Sequence, residues 1–203
     1  MDKEPLIISI RNTLSSSPLS PSSQVLEEIA SHFEPKSFDK NELFVKEGQV
    51  STGSFFMTDG FMRTFINNTE GEEVTTYFFT KNGHVSEITS LFSRTRSMEN
   101  IQSITACHGF FLSIEKLNTL FHSVPEFREF GRAMLVREFT AYKKRTLSLI
   151  NQTAEERYRD LINTSKEIFQ HVPLKYIASY LGITDSSLSR IRREFSKKQT
   201  GSH

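Results

Sequence analysis

Lys175 to Arg193 reads KYIASYLGITDSSLSRIRR. Ile177, Ala178 and Leu181 give a first short helix its apolar face, and Gly182 ends it without a Cβ penalty. Ile183 plugs the turn. Thr184 is placed to cap the next helix by accepting from its free N–H groups. Leu188, Ile191 and Phe195 then recur at helical spacing and point inward. The opposite face carries Asp185, Ser186, Ser189, Arg190 and Arg193. Such a pair, apolar inside with one basic outer face, meets the needs of a DNA-reading helix-turn-helix. A helical hairpin with a solvated face satisfies the same pattern, so the stretch must be read with its neighbours.

Charge is the first of these. The 203-residue chain has a net charge of only +1. Residues 153–203, however, hold nine Lys/Arg against six Asp/Glu, and Arg190 to Lys198 holds five basic residues against Glu194. Positive charge thus sits on and after the second helix, where phosphates would lie. Lys and Arg also suit a helix C-terminus for its dipole alone.

Upstream, Thr153-Ala154-Glu155-Glu156 has the S/T-x-x-E form of a capping box. It predicts a helix with Tyr158, Leu161, Ile162 and Ile168 facing in. Pro173 fits the opening of the first helix of the pair. Before this, a long helix is predicted from Pro125 to about Ile150. In it Leu135, Phe139, Tyr142, Thr146 and Leu149 step by 4, 3, 4 and 3, as a dimer seam does. Phe127, Phe130 and Met134 form a second stripe, suited to packing within the chain. A single wide stripe buried in one chain is the competing reading.

From Lys36 to Ser113 the period is two. Segments Glu42–Lys46, Ser54–Asp59, Phe61–Asn67, Glu73–Thr80, Asn100–Cys107 and His108–Ser113 are short and rich in Phe, Val, Ile and Thr. Turn signals separate them: Glu47-Gly48-Gln49, Asp59-Gly60, Asn68 to Gly71 and Asn82-Gly83. An antiparallel sandwich or roll follows, with most of the 18 phenylalanines in its core. Short helices are expected over Leu6–Leu14, Ser23–Phe33 (stopped by Pro35) and Glu115–Phe121.

Exclusions narrow the class. No apolar run approaches the ~20 residues that span a bilayer, and MDKEPLIISI lacks a signal peptide's basic start. A cytoplasmic location is the simplest expectation. One cysteine, Cys107, excludes an intrachain disulfide or a four-cysteine cluster within one chain. His32, His84, His108, His122 and His171 are scattered singly. Without paired carboxylates, metal spacing, a phosphate loop or a nucleophile motif, neither an enzyme nor a resident cofactor or metal is expected.

Roll, seam helix and helical pair stand in an order that resembles the cyclic-AMP receptor / fumarate–nitrate regulator (Crp/Fnr) family of bacterial transcription factors. The segments that carry the resemblance are ELFVKEGQVSTGSFFMTDGFMRTF (42–65), HVSEITSLF (84–92) and VPLKYIASYLGITDSSLSRIRREF (172–195). The last is especially similar to Bacteroidetes members. The resemblance implies an α+β chain: a β-roll sensing domain with N-terminal helices over 1–122, a dimerisation helix and hinge over 123–152, and a DNA-binding domain over 153–203. It implies a homodimer on a pseudo-palindromic operator, with double-stranded DNA, RNA polymerase and an unknown small-molecule effector as partners, and no membrane. Asp185, Ser186 and Arg190 then fall where members contact bases, and an arginine can grip guanine O6 and N7. Lys175, Thr184, Ser187 and Ser189 fall at phosphate contacts, and Arg193 lies on the same face. Asp185-Ser186 departs from the Arg-Glu pair of the catabolite activator, so the operator differs.

Cyclic-nucleotide binders of that family use Gly-Glu for the ribose and a later Arg-Ser/Thr-Ala for the cyclic phosphate. Here Ser86-Glu87 keeps the Glu but not the Gly, and Ser97, Met98 and Glu99 stand at the phosphate triplet. Arg96 is one residue early and Arg94 three. Losing the charge-assisted phosphate contact removes about 1.5–3 kcal/mol, so an effector other than cyclic AMP is expected, around Ser86, Glu87, Arg96 and Ser97. A sensor that acts through protein contacts is the alternative to a DNA-binding regulator.

Overall fold

A computed structural model describes residues 2–15 and 17–200, the side chains of 198–200 apart. The Lys198 side chain, counted above in the basic run, and residues 201–203 therefore lie outside the described residues. The chain begins with α1 (Glu4–Thr13) and α2 (Ser23–Ser31), followed by eight strands and α3 (Ile88–Ser93). Four-stranded antiparallel sheets face each other. One has the order β1 (Glu34–Phe38), β8 (Cys107–Ser113), β3 (Gly53–Asp59), β6 (Gly83–Val85). The other runs β2 (Leu43–Val45), β7 (Asn100–Ser103), β4 (Met62–Asn67), β5 (Glu73–Phe79).

Alternation explains the layers. Phe55 and Met57 of β3 point between the sheets with Phe38, Val45, Met62, Val85 and Ile101. Phe56 points the other way, into a second core with Phe110, Leu112 and helices α1, α2, α4 (Ile114–Ser123) and α5 (Pro125–Asn151). At Gly109 an added Cβ would sit 2.0 Å from the Phe56 carbonyl oxygen, so β8 can approach β3 only without a side chain there.

A third core joins Phe61 and Ile104 of the roll to the C-terminal helices α6 (Ala154–Thr164), α7 (Ile168–His171), α8 (Leu174–Leu181) and α9 (Asp185–Thr200). The capping box of α6 is formed: Glu156 N–H donates to Thr153 Oγ1, and Thr153 N–H donates to the Glu156 carboxylate at 2.8 Å. That acceptor role holds the Glu156 carboxyl below its usual range. Gly182 closes α8 at φ +67°, the left-handed conformation.

Several sequence expectations shift. Pro35 does not merely stop a helix; it lies in edge strand β1, where a missing N–H is tolerated. The segment 100–107 is two strands broken at 104–106, and Cys107 starts β8 rather than ending a strand. Its buried Sγ donates to the Phe61 carbonyl, and burial raises its thiol pKa. Asn82 makes the turn at φ +60°, but Gly83 already belongs to β6. Ile168 lies in a separate short helix, because α6 ends at Thr164. Pro173 stands at the N-cap of α8, one residue before the helix.

Candidate effector cleft and nucleic-acid interface

Ser86, Glu87, Arg96 and Ser97 come together. They line one cleft of about 840 Å³, closed on one side by Tyr142 of α5. Glu87 is 8% exposed and caps α3, accepting from the Ser90 N–H. Ser86 Oγ donates to Ser54 Oγ at 2.7 Å, tying the position that lacks glycine to β3. Ser97 serves its own turn: its N–H donates to the Gln49 carbonyl at 2.8 Å and its hydroxyl to the Glu99 carbonyl at 2.8 Å.

The two arginines part company. Arg94 is the left-handed C-cap of α3, and its guanidinium donates to the Ser51 carbonyl at 3.0 Å. Arg96 is exposed on the cleft wall. Glu99 reaches the same cleft and accepts from the Thr76 hydroxyl at 3.3 Å. Burial raises its carboxyl pKa, and the nearby Glu87 charge adds to the rise. Burial also raises the Tyr142 hydroxyl pKa, with Glu99, Glu138 and Glu87 adding. A cleft lined by three carboxylates, Glu47, Glu87 and Glu99, and one peripheral guanidinium is poorly matched to a cyclic phosphate.

The α8–α9 pair carries the other sequence-predicted residues. Lys175, Thr184, Asp185, Ser186, Ser189, Arg190 and Arg193 are exposed, and Ser187 is half-buried. Thr184 caps α9, accepting from the Ser187 N–H at 3.3 Å, while its hydroxyl donates to Ser187 Oγ at 3.0 Å. Asp185 lies in the first turn of α9, where a carboxylate is favoured by the helix dipole. Leu188 and Ile191 hold the opposite face in the core.

On α5 the stripe Phe127, Phe130 and Met134 is buried against the roll. Leu135, Phe139, Tyr142, Thr146 and Leu149 are exposed, Phe139 at 70%. The two stripes differ in burial, but Leu135 and Tyr142 stay partly against the roll, the Tyr142 ring 5.4 Å from that of Tyr77. At the end of α5, Arg157 binds three carbonyls: Leu181 (3.0 Å), Gln152 (2.5 Å) and Ser148 (3.4 Å). Arg145 donates to the Tyr180 carbonyl and lies 3.8 Å from the centroid of that ring. Two guanidiniums thus join the C-terminus of α8 to the end of α5.

Sequence reasoning missed the seat of α8 on the roll. Thr75 N–H donates to Ser179 Oγ at 3.1 Å, and the Phe78 and Tyr180 rings lie 5.0 Å apart. Arg63 is wholly buried and donates to Gln102 (2.9 Å) and Glu73. The signal was there: Met62-Arg63-Thr64-Phe65 puts a charge inside an apolar strand, and a buried charge needs partners.

Residues 35–123 match the family model of the cyclic nucleotide-binding domain. No protein of curated function matches the chain by sequence. Among solved structures, the chain is similar to the c-di-GMP responsive global regulator CLP of Xanthomonas campestris, at 14% identity and a TM-score of 0.68 over 88% of this chain and 93% of that one. It is similar to FixK2 of Bradyrhizobium japonicum at 16% identity and a TM-score of 0.69, over 82% and 86%. A chain from Eubacterium rectale described as a transcriptional regulator of the Crp/Fnr family gives 15% identity and a TM-score of 0.67, over 92% and 88%. The fold is the one these regulators share, and no helix among the described residues is long and apolar enough to cross a membrane.

Proposed function

We propose, for a chain with a cyclic nucleotide-binding domain and Crp/Fnr regulators as structural neighbours, that it is a homodimeric, sequence-specific DNA-binding transcription regulator in the cytoplasm. The observation that carries this reading is the outer face of α9. Asp185, Ser186, Ser189, Arg190 and Arg193 are exposed together while Leu188 and Ile191 anchor the helix behind them. Arg190 reads a base, and Lys175 and Thr184 hold phosphates. The exposed stripe of α5 forms the two-fold seam.

In this reading the sensing roll is 1–122, the seam and hinge 123–152, and the DNA-binding part 153–203. The effector sits at the roll and is not cyclic AMP, because Ser97 stands where the phosphate arginine is expected and Glu99 lies beside it. Its occupancy biases α5, and the Arg145 and Arg157 contacts pass that bias to α8. Two recognition helices must lie ~34 Å apart to enter successive major grooves, so a small hinge movement switches binding. RNA polymerase is the further partner this implies. Selection on random DNA followed by gel shift is the test: a two-fold-symmetric site is enriched. No such site, with and without cell extract, overturns the reading.

A further inference from the structure

Beside the polar cleft, and sharing part of its wall, lies a second, mostly apolar space. It is a cavity of about 90 Å³ between the roll and the N-terminal half of α5, walled by Phe79, Leu112, Leu117, Phe127, Phe130 and Met134 among others. Gly131 helps to shape it: a Cβ there would meet Phe121 Cζ at 2.5 Å, so the missing side chain lets that ring stand against α5 as a wall. The cavity opens to the surface past Phe92 and Leu135, which are both exposed.

Its position gives it a purpose. Ser86, Ile88 and Tyr142 line both this cavity and the polar cleft, so the two spaces share a wall. Leu135, Glu138 and Tyr142, on successive turns of α5, close its outer side. An occupant would touch the helix that carries the exposed stripe. The lining is mostly apolar, but Ser54, Ser86, Glu138, Tyr142 and the buried His84, held neutral by its burial, also reach it. Ser86 Oγ already donates to Ser54 Oγ at 2.7 Å, and the Glu138 carboxyl pKa is raised by burial.

From this geometry we infer that the cavity is an effector site for a small, neutral, ring-shaped hydrocarbon-like molecule, with at most one polar group directed to the Glu138–Tyr142 end. An engineered apolar cavity of about 150 Å³ takes benzene, so a space of about 90 Å³ that opens to the surface takes a single small ring at most. An anionic or phosphorylated molecule is excluded, because the lining holds no Lys or Arg and its one carboxyl, Glu138, would repel it. The binding step rests on the cavity alone. Its regulatory consequence rests on the DNA-binding reading above.

The test uses the full chain without DNA and fluorobenzene as the probe, followed by fluorine NMR. One saturable site per chain is expected. Leu117→Phe on α4 and Met134→Phe on α5 each fill the space from a different side and weaken binding at least tenfold, with the melting transition kept. Unsaturable partitioning overturns the inference, and so does binding that neither substitution changes. Xenon-pressurised crystals of the unsubstituted chain need no variant: density between Phe79 and Phe130 supports the site, and none overturns it. A chain that binds fluorobenzene but no DNA overturns the regulator reading and leaves the cavity assignment standing. A chain that binds DNA but no fluorobenzene does the reverse.

Discussion

The guanidinium carbon of Arg63 lies 3.5 Å from the centroid of the Tyr176 ring, and 4.1 Å from that of Phe65 on its own strand. A buried cation from the roll is thus sandwiched between its own sheet and the first helix of the α8–α9 pair. A desolvated cation–π contact stabilises by up to about 2 kcal/mol. A double-mutant cycle with Arg63→Met and Tyr176→Leu, followed by urea unfolding, should give a coupling of about 1 kcal/mol or more. Additive effects would mean that the two surfaces only lie side by side.

Arg190 and Lys175 should fail differently. Arg190→Ala costs about 1–3 kcal/mol on the best operator and relaxes one base position per half-site. Lys175→Ala weakens all sequences alike and lowers the salt slope by about one. A competition assay on operator variants at two salt concentrations separates them. An equal loss on every sequence for Arg190→Ala would contradict its base-reading role.

The acidic cleft makes a prediction about cyclic AMP. Glu99 and Glu87 both face the cleft, and Arg94 is held by the Ser51 carbonyl. Isothermal titration should show cyclic AMP binding in the millimolar range or not at all. Glu99→Gln removes one repulsive charge and should strengthen whatever binding remains. Micromolar affinity in the unsubstituted chain would show that Arg96 swings in to take the phosphate.

The residues that could be read from sequence are those whose chemistry is local. Gly182, Thr184 and the Thr153–Glu156 box announce helix ends within four residues, and the structure forms each of them. That most phenylalanines are core was legible, but not the layer each one faces: Phe55 turns between the sheets and Phe56 toward the helices. Arg63, Tyr176 and Ser179 were opaque because their partners are far along the chain: Thr75 meets Ser179 across 104 positions. The apolar cavity was hidden for a related reason. Leu117, Phe130 and Phe79 each read as ordinary core, and only the packed molecule shows that their rings and methyls leave a space. Strand β1 was missed because Pro35 reads as a breaker until the edge of the sheet is known.

His84 sets a pH dependence. Its ring lies 4.8 Å from Phe56 and 5.2 Å from Phe130, and burial pushes its pKa down to about 3, with the Arg137 charge acting in the same direction. The folded chain therefore keeps His84 neutral while the unfolded chain takes up a proton below about 6.5. This contribution is fully present above pH 6.5 and is lost as the pH falls toward 3. Between pH 7.5 and 5.5, urea unfolding should show a loss of about 1 kcal/mol. His84→Gln should remove most of that slope. A slope unchanged by the substitution would show that another group, such as the raised carboxyls of Glu99 and Glu138, sets it.

The exposed stripe of α5 yields the last prediction. Phe139 is 70% exposed and Ile150 76%, on a helix whose other stripe is already buried against the roll. Large apolar side chains so exposed along one helix are costly unless a partner covers them. If the partner is a second copy, Phe139 of each chain meets the other near the two-fold axis. Phe139→Asp then places two carboxylates together in a desolvated seam, where both cannot stay ionised cheaply. Sedimentation should show a dimer for the unsubstituted chain and a monomer for this variant. Operator affinity should fall by at least tenfold, because each half-site is then bound alone. Phe139→Leu keeps the apolar contact and should restore both. A variant dimer with unchanged affinity would remove Phe139 from the seam and return α5 to a helix whose exposed face has no part in assembly.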